Sequence, residues 1–261
     1  MAGTVLKSSV RAGGVGVLTL ARPDRLNSIS TAVAEALSKH VSEFASDDSV
    51  RAIVVNGEGQ AFSAGADIAE FSALDSPAAF GEFIGLLAAS LDELAGCSKP
   101  SVAALHGVAL GGGLELALAC DIRVAEEGTR LGVPEIKLGL LPGAAGTVRL
   151  PRMVPPPVAR RMLLTGEPIP AEEAVGYGLV AEVVPAGAGL DSAIAMAAKL
   201  AELPPLALAA CKRLLGAGLG LPEATAIELE RQTVSMLFGS EDRLEGLSAF
   251  LEKRAPTFGG R

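Results

Sequence analysis

Three consecutive glycines, Gly111-Gly112-Gly113, lie between an apolar run and a segment of helical composition. Each glycine costs roughly 0.5–1 kcal/mol relative to Ala inside a regular element. A run of three therefore predicts a turn that needs unusual dihedrals or a ligand's close approach. Leu114-Glu115 follows at once, and the helix is predicted to reach about Ala119. The first N–H groups of such a helix have no carbonyl partner inside it. A second glycine turn, Phe62-Ser63-Ala64-Gly65-Ala66-Asp67-Ile68, has the same character. Two such turns facing each other suit an oxyanion held from both sides. Glu115 and Glu135, in Pro134-Glu135, supply two carboxylates of the kind that hold and activate a water. Spacing alone does not bring them together. Twenty residues separate them, and the plainer alternatives are a glutamate favouring a helix N-terminus and a surface glutamate.

The surrounding pattern is strand, glycine break, helix. Thr4–Val10 and Val15–Ala21 flank Gly13-Gly14 and read as a β-hairpin. Ser30 or Thr31 caps a predicted helix to about Ala45, with Val33, Leu37, Val41 and Phe44 on one face. Arg51–Asn56 and Ser101–Leu105 read as buried strands, with a helix from Asp75–Pro77 to about Leu94 between them. Ile122–Ala125, Thr129–Leu131 and Leu179–Val184 are further predicted strands. Beyond Pro142 the chain is mostly helical, and from Leu190 to Lys253 helix follows helix. The class is α/β, with residues 1–195 as a core and 196–261 as a helical appendage.

With 49% hydrophobic but only 3% aromatic residues, the core is built from Ala, Leu, Val and Ile. A formal net charge of −8 argues against nucleic acid or an anionic membrane as partner. Cys97, Cys120 and Cys211 are too few and too scattered for a disulfide framework or a zinc site. Met1–Val10 lacks a signal-peptide core, and the apolar stretches Ile84–Leu91 and Val102–Leu105 are too short to span a bilayer. The expectation is a soluble cytoplasmic protein that binds no metal.

Other motifs compete. Ala61-Phe62-Ser63-Ala64-Gly65 resembles a nucleophile elbow with Ala in its first position, which would make Ser63 a hydrolase nucleophile. The histidines are His40 and His106, and neither occupies the late triad position of that fold. Gly176-Tyr177-Gly178 leads into a predicted strand, whereas a dinucleotide fingerprint follows one.

Phe62–Ile68, His106–Glu115, Pro134–Glu135 and Leu138–Leu150 together resemble the crotonase family in its enoyl-CoA hydratase branch. The likeness runs from Val15–Leu20 and Arg22–Asn27 through Leu163–Gly166 and Ala174–Val184 to Glu245–Arg254. It implies a spiral of repeated ββα units, C-terminal helices used in assembly, and a homotrimer or a hexamer of paired trimers. It also implies an acyl-CoA substrate and no separate cofactor, coenzyme A being part of the substrate. By resemblance the N–H groups of Ala66 and Gly112 form an oxyanion hole. Glu115 and Glu135 grip the water that adds syn across a trans-2-enoyl-CoA. Arg25, Ala64, Gly65, Asp67 and Ile68 border the CoA moiety, as do Phe250 and Lys253 near the C-terminus. Gly111, Pro134 and Gly143 line the substrate. Phe71, Leu74, Phe80, Phe83, Ile84 and Leu87 fall in the acyl-pocket region. Double-bond isomerisation, or acyl-CoA binding without catalysis, are the alternatives.

Overall fold

The hairpin is formed by β1 (Leu6–Arg11) and β2 (Val15–Leu20), paired antiparallel from Leu6↔Leu20 to Arg11↔Val15. These coordinates come from a computed structural model that describes residues 4–261; residues 1–3, the start of the Met1–Val10 segment, lie outside the described residues. α1 (Thr31–Ser46) follows, its Ser30 cap accepting from the Val33 N–H at 3.3 Å. Then come β3 (Ala52–Gly57), the one-turn α2 (Ile68–Phe71) and the long α3 (Pro77–Gly96). Next are β4 (Ser101–Leu105), β5 (Val108–Leu110), α4 (Gly112–Ala119), β6 (Ile122–Glu126) and β7 (Arg130–Gly132). After a 3-10 turn at Pro134–Leu138 come α5 (Gly146–Met153), α6 (Pro156–Thr165), β8 (Ile169–Pro170), α7 (Ala171–Gly176) and β9 (Glu182–Val184). The chain closes with α8 (Gly189–Ala201), α9 (Pro205–Gly218), α10 (Glu223–Leu237) and α11 (Glu241–Glu252).

The strands form two sheets. The larger has the order β1-β2-β3-β4-β6-β9 and is parallel from β2 onward. The smaller has the order β5-β7-β8, with β5 and β7 parallel and β8 antiparallel to β7. Successive turns of the chain give one strand to each sheet and then a helix or 3-10 turn: β4-β5-α4, then β6-β7 and Pro134–Leu138. That is the ββα spiral.

The central strands β3 and β4 are buried on both faces, which explains why they read as nearly unbroken apolar runs. Ile53, Val55, Ala103 and Leu105 point into the layer filled by α1, α3 and α4. Their neighbours Ala52, Val54, Val102 and Ala104 point the other way, against Ala193, Ala197 and Ala201 of α8. Alanines at a spacing of four let α8 lie close on the sheet. Residue 195, the expected end of the core, falls inside this continuous helix.

Three short elements are absent from the sequence reading. β5 and β8 are too short to show a period, and α2 is a single turn capped by the Asp67 carboxylate. The predicted strand Leu179–Val184 shortens to β9 because Leu179 closes α7 instead, its N–H reaching the Ala174 carbonyl at 3.0 Å.

α4 is buried along its whole length, so its final carbonyls cannot be hydrated. Arg123 on β6 answers them. Its guanidinium donates to Ala117 O (3.2 Å), Cys120 O (2.8 Å) and Leu179 O (2.6 Å). Arg123→Met keeps the aliphatic stem and removes the guanidinium donors from these carbonyls; among the described residues, Ala117 O keeps only the Cys120 N–H. The expected loss is about 2–4 kcal/mol in urea unfolding.

Candidate active site

The site is built from one row of the small sheet. Ser63 forms a parallel bridge with Ala109, and Ala109 pairs with Leu131 in the β5–β7 register. Three residues beyond each member of this row lie Ala66, Gly112 and Pro134. Register therefore delivers both glycine turns and the Pro134-Glu135 turn to one edge.

The Ala66 N–H is left free by its neighbours. Ile29 donates to Gly65 O at 2.7 Å and accepts from the Asp67 N–H at 2.9 Å. Gly65 and Asp67 thus spend their groups on Ile29, and in extended backbone the residue between them directs its N–H to the other side. Gly112 opens α4, so its N–H has no partner within the helix. Among the described residues neither N–H is hydrogen-bonded. A Cβ on Gly112 would stand 3.3 Å from Ala66 N, and a Cβ on Gly65 would stand 3.3 Å from Gly112 N. The two nitrogens thus lie close together. Gly65 (φ 105°) and Gly111 (φ 52°) adopt backbone that disfavours side chains.

Glu115, only 2% exposed, projects from the first turn of α4. Its Oε1 accepts from the N–H groups of Ala144 (2.8 Å) and Gly146 (2.7 Å). Ala145 between them sits in the left-handed region (φ 75°), which curls both donors toward one oxygen. Burial pushes the Glu115 carboxyl up, while these two N–H groups and Arg149 pull it back. Glu135 sits beside Gly111, where a Cβ would lie 2.9 Å from its Oε1. Its Oε2 is buried without a partner among the described residues. Burial, with the Glu115 charge adding to it, pushes the Glu135 carboxyl up to about 7. One carboxylate is thus anchored and the other poised to carry a proton near neutrality.

Ser63 is fully buried, and its hydroxyl donates to Asn27 O at 2.8 Å and accepts from the Gly65 N–H at 3.2 Å. It braces the turn and presents no nucleophile, so the elbow reading is set aside. Ala64 is tied to Leu26 O through its N–H at 2.9 Å, which sets exposed Arg25 beside this segment. Ile68 is exposed next to it. The Asp67 carboxylate instead turns inward to Arg22 at 2.7 Å. Gly143 packs under Ile84, where a Cβ would meet Ile84 Cγ2 at 2.9 Å. Leu87, one turn along α3, lies near Gly112, and Phe71 stacks edge-on to Phe80 with centroids 5.7 Å apart. Phe250 is 80% exposed on α11. No hydrogen bond or ion pair joins Phe250 or Lys253 to the Ala66 or Gly112 turns; α11 is tied to the C-terminal tail, which reaches Arg51 at the start of β3. A cavity of about 750 Å³ lies away from the carboxylates, between the end of α3, α9 and α10.

Sequence reasoning missed the Ala144 and Gly146 donors and the cation of Arg149. They lie within Leu138–Leu150, but only folding shows what they hold.

Two unpaired N–H groups close together, with buried Glu115 and half-buried Glu135 beside them, define a site able to stabilise an oxyanion next to proton transfer. The family model for enoyl-CoA hydratase/isomerase matches residues 11–261. A Bacillus subtilis protein named probable enoyl-CoA hydratase is 43% identical, covering 94% of this chain and 95% of its own. The 2,3-dehydroadipyl-CoA hydratase of Escherichia coli is 42% identical over 94% of this chain and 95% of its own. The crystal structure of an enoyl-CoA hydratase from Bacillus anthracis superposes with a TM-score of 0.95 at 34% identity, covering 99% of this chain and all of that one. The chain belongs to the crotonase (enoyl-CoA hydratase/isomerase) family, whose enzymes act on acyl-CoA thioesters.

The raised Glu135 fixes a sign for stability. A carboxyl with a folded pKa of about 7 keeps its proton where the unfolded chain has lost it. Stability therefore falls as pH rises from about 4.5 to about 7. Glu135→Gln removes that penalty. Thermal melts are expected to place the variant level with wild type near pH 4.5 and above it at pH 8, by roughly 3 kcal/mol once the group is fully ionised.

Proposed function

We propose that the enzyme is an enoyl-CoA hydratase, adding water syn across a trans-2-enoyl-CoA to give a (3S)-3-hydroxyacyl-CoA. The observation that carries this reading is the convergence of the free Ala66 and Gly112 N–H groups beside both Glu115 and Glu135. Attack of water at C3 moves charge onto the thioester oxygen. The two N–H groups bind that enolate oxygen more strongly than the ground-state carbonyl, each contributing roughly 2.7–4 kcal/mol. Glu115, its Oε1 held by Ala144 and Gly146, keeps its other oxygen for the water and takes one of its protons as the C3–O bond forms. Glu135, its carboxyl raised to about 7, still carries its proton in a large share of molecules near neutrality and delivers it to C2. The retention of both carboxylates supports hydration over isomerisation, which needs one proton carrier.

Ala64, Gly65 and Ile68 border the CoA moiety in this reading, with Arg25 facing its phosphates. Gly111, Pro134 and Gly143 line the acyl end. Asp67, expected there, is spent inside the protein. Phe250 and Lys253 reach the CoA of a neighbouring copy in a trimer or hexamer. Exposed Leu215, Leu219, Val234, Met236 and Leu251 on the C-terminal helices suit such an interface. A few cations suffice against the net charge of −8, because exposed charges beyond roughly 8–10 Å are screened.

The test is loss of enoyl-thioester absorbance with crotonyl-CoA, longer trans-2-enoyl-CoAs and an ω-carboxylated one, prompted by the 2,3-dehydroadipyl-CoA relative. Glu115→Gln and Glu135→Gln are each expected to lower kcat at least about 100-fold while thioester binding persists. Full activity in either variant would refute that glutamate's role. Conversion of a 3-enoyl-CoA without hydration would replace the reading by isomerisation. Wild-type kcat should fall as pH rises through about 7, as the acid form of Glu135 is lost.

A further inference from the structure

The Arg22–Asp67 pair does not face the substrate, yet it is among the most densely bonded polar contacts near the site. Arg22 Nη2 donates to Asp67 Oδ2 at 2.7 Å, and Nη1 donates to Ser28 O at 2.7 Å and Ser28 Oγ at 3.2 Å. The Ser28 hydroxyl in turn donates to Asp67 Oδ2 at 3.2 Å. Asp67 Oδ1 accepts from the Ala69 N–H at 3.2 Å and caps α2. The side chains are 20% and 11% exposed. Ser28 adjoins Ile29 and Asp67 adjoins Ala66, so one guanidinium fork grips both residues that flank the Ile29–Ala66 bridge. Asn27 secures the same loop, accepting from the Arg22 N–H at 2.9 Å and donating to Ala61 O at 2.7 Å.

We propose that the Arg22–Asp67 pair is a latch that fixes the aim of the Ala66 N–H, making both residues positioning residues for chemistry at the thioester oxygen. The pair sets geometry more than it adds stability, since the desolvation of two charges offsets much of their attraction. A planar fork holds two acceptors at a set spacing, which an ammonium does not. Burial pushes the Asp67 carboxyl up, but Arg22 and the helix N–H groups outweigh it and leave it below its ordinary value, so the latch is charged at neutral pH. Asp67 has no group left for substrate: both oxygens and its N–H are bound internally.

The inference rests on the oxyanion-hole reading of Ala66 and Gly112. Asp67→Asn keeps the α2 cap and removes the charge, and Arg22→Lys keeps the charge and removes the fork. Circular dichroism and melting check that each is folded. With crotonyl-CoA, both variants are expected to lose about 10- to 100-fold in kcat, with KM changed less than about threefold. The absorbance red shift of bound cinnamoyl-CoA, which reports carbonyl polarisation, should shrink in parallel. Hydrogen exchange at the Ile29 and Asp67 N–H groups should quicken. A raised KM at unchanged kcat would make Asp67 a binding residue and overturn the proposal. So would wild-type kcat with an undiminished red shift. If wild type hydrates no enoyl thioester, the functional reading fails. The latch is then judged by exchange alone: quicker in both variants supports it, unchanged in both refutes it.

Discussion

Everything at this site depends on the register of the small sheet. A parallel pair fixes which residues stand abreast, and a slip of one residue turns each side chain to the opposite face. Here Ser63, Ala109 and Leu131 stand abreast. The chain leaves all three in the same direction, so the turns beyond them gather at one edge. The glycines serve that gathering. A Cβ on Gly113 would come within 2.5 Å of Ser63 O, so α4 can press against the Ser63 segment only because that position carries no side chain. The distance between the two free N–H groups is a packing distance between backbones.

The two glutamates show how one local field makes unlike groups from like ones. Glu115 is buried and Glu135 half-buried with one oxygen enclosed, and burial alone would raise both. Glu115 receives two backbone N–H groups and the nearby Arg149 charge. Glu135 receives the charge of Glu115, and one of its oxygens has no partner among the described residues. An unsatisfied buried acceptor costs roughly 1–3 kcal/mol in an ordinary protein interior. The fold carries that cost at the position where the proposed hydration needs an acid. α4 ties the halves together: its unpaired N-terminal N–H lies beside Ala66, while Arg123 meets the carbonyls at its buried far end.

Much of this was legible in the chain. Ser30 before an apolar stripe marked α1, and Gly13-Gly14 marked the hairpin turn. The apolar runs at Arg51–Asn56 and Ser101–Leu105 marked strands that fold as β3 (Ala52–Gly57) and β4 (Ser101–Leu105), buried on both faces. What escaped were the shortest elements. β5 spans three residues between Gly107 and Gly111, too few to display a period, yet it stands between Ser63 and β7 in the row that assembles the site. Asp67 reads as a site residue because of its motif, and its carboxylate faces inward because Arg22, forty-five residues earlier, lies there.

The sequence by itself determined the α/β class, the two glycine turns, the identity of both carboxylates and, through resemblance, the family. These are local facts: backbone freedom, helix-end chemistry and residue type. The tertiary structure alone decided that Glu115 meets Glu135, that Ala144 and Gly146 hold one while the other stays poised near pH 7, and that the Ala66 N–H is free. Each of those depends on pairing between strands far apart in the chain and on burial. Neither is encoded at any single position.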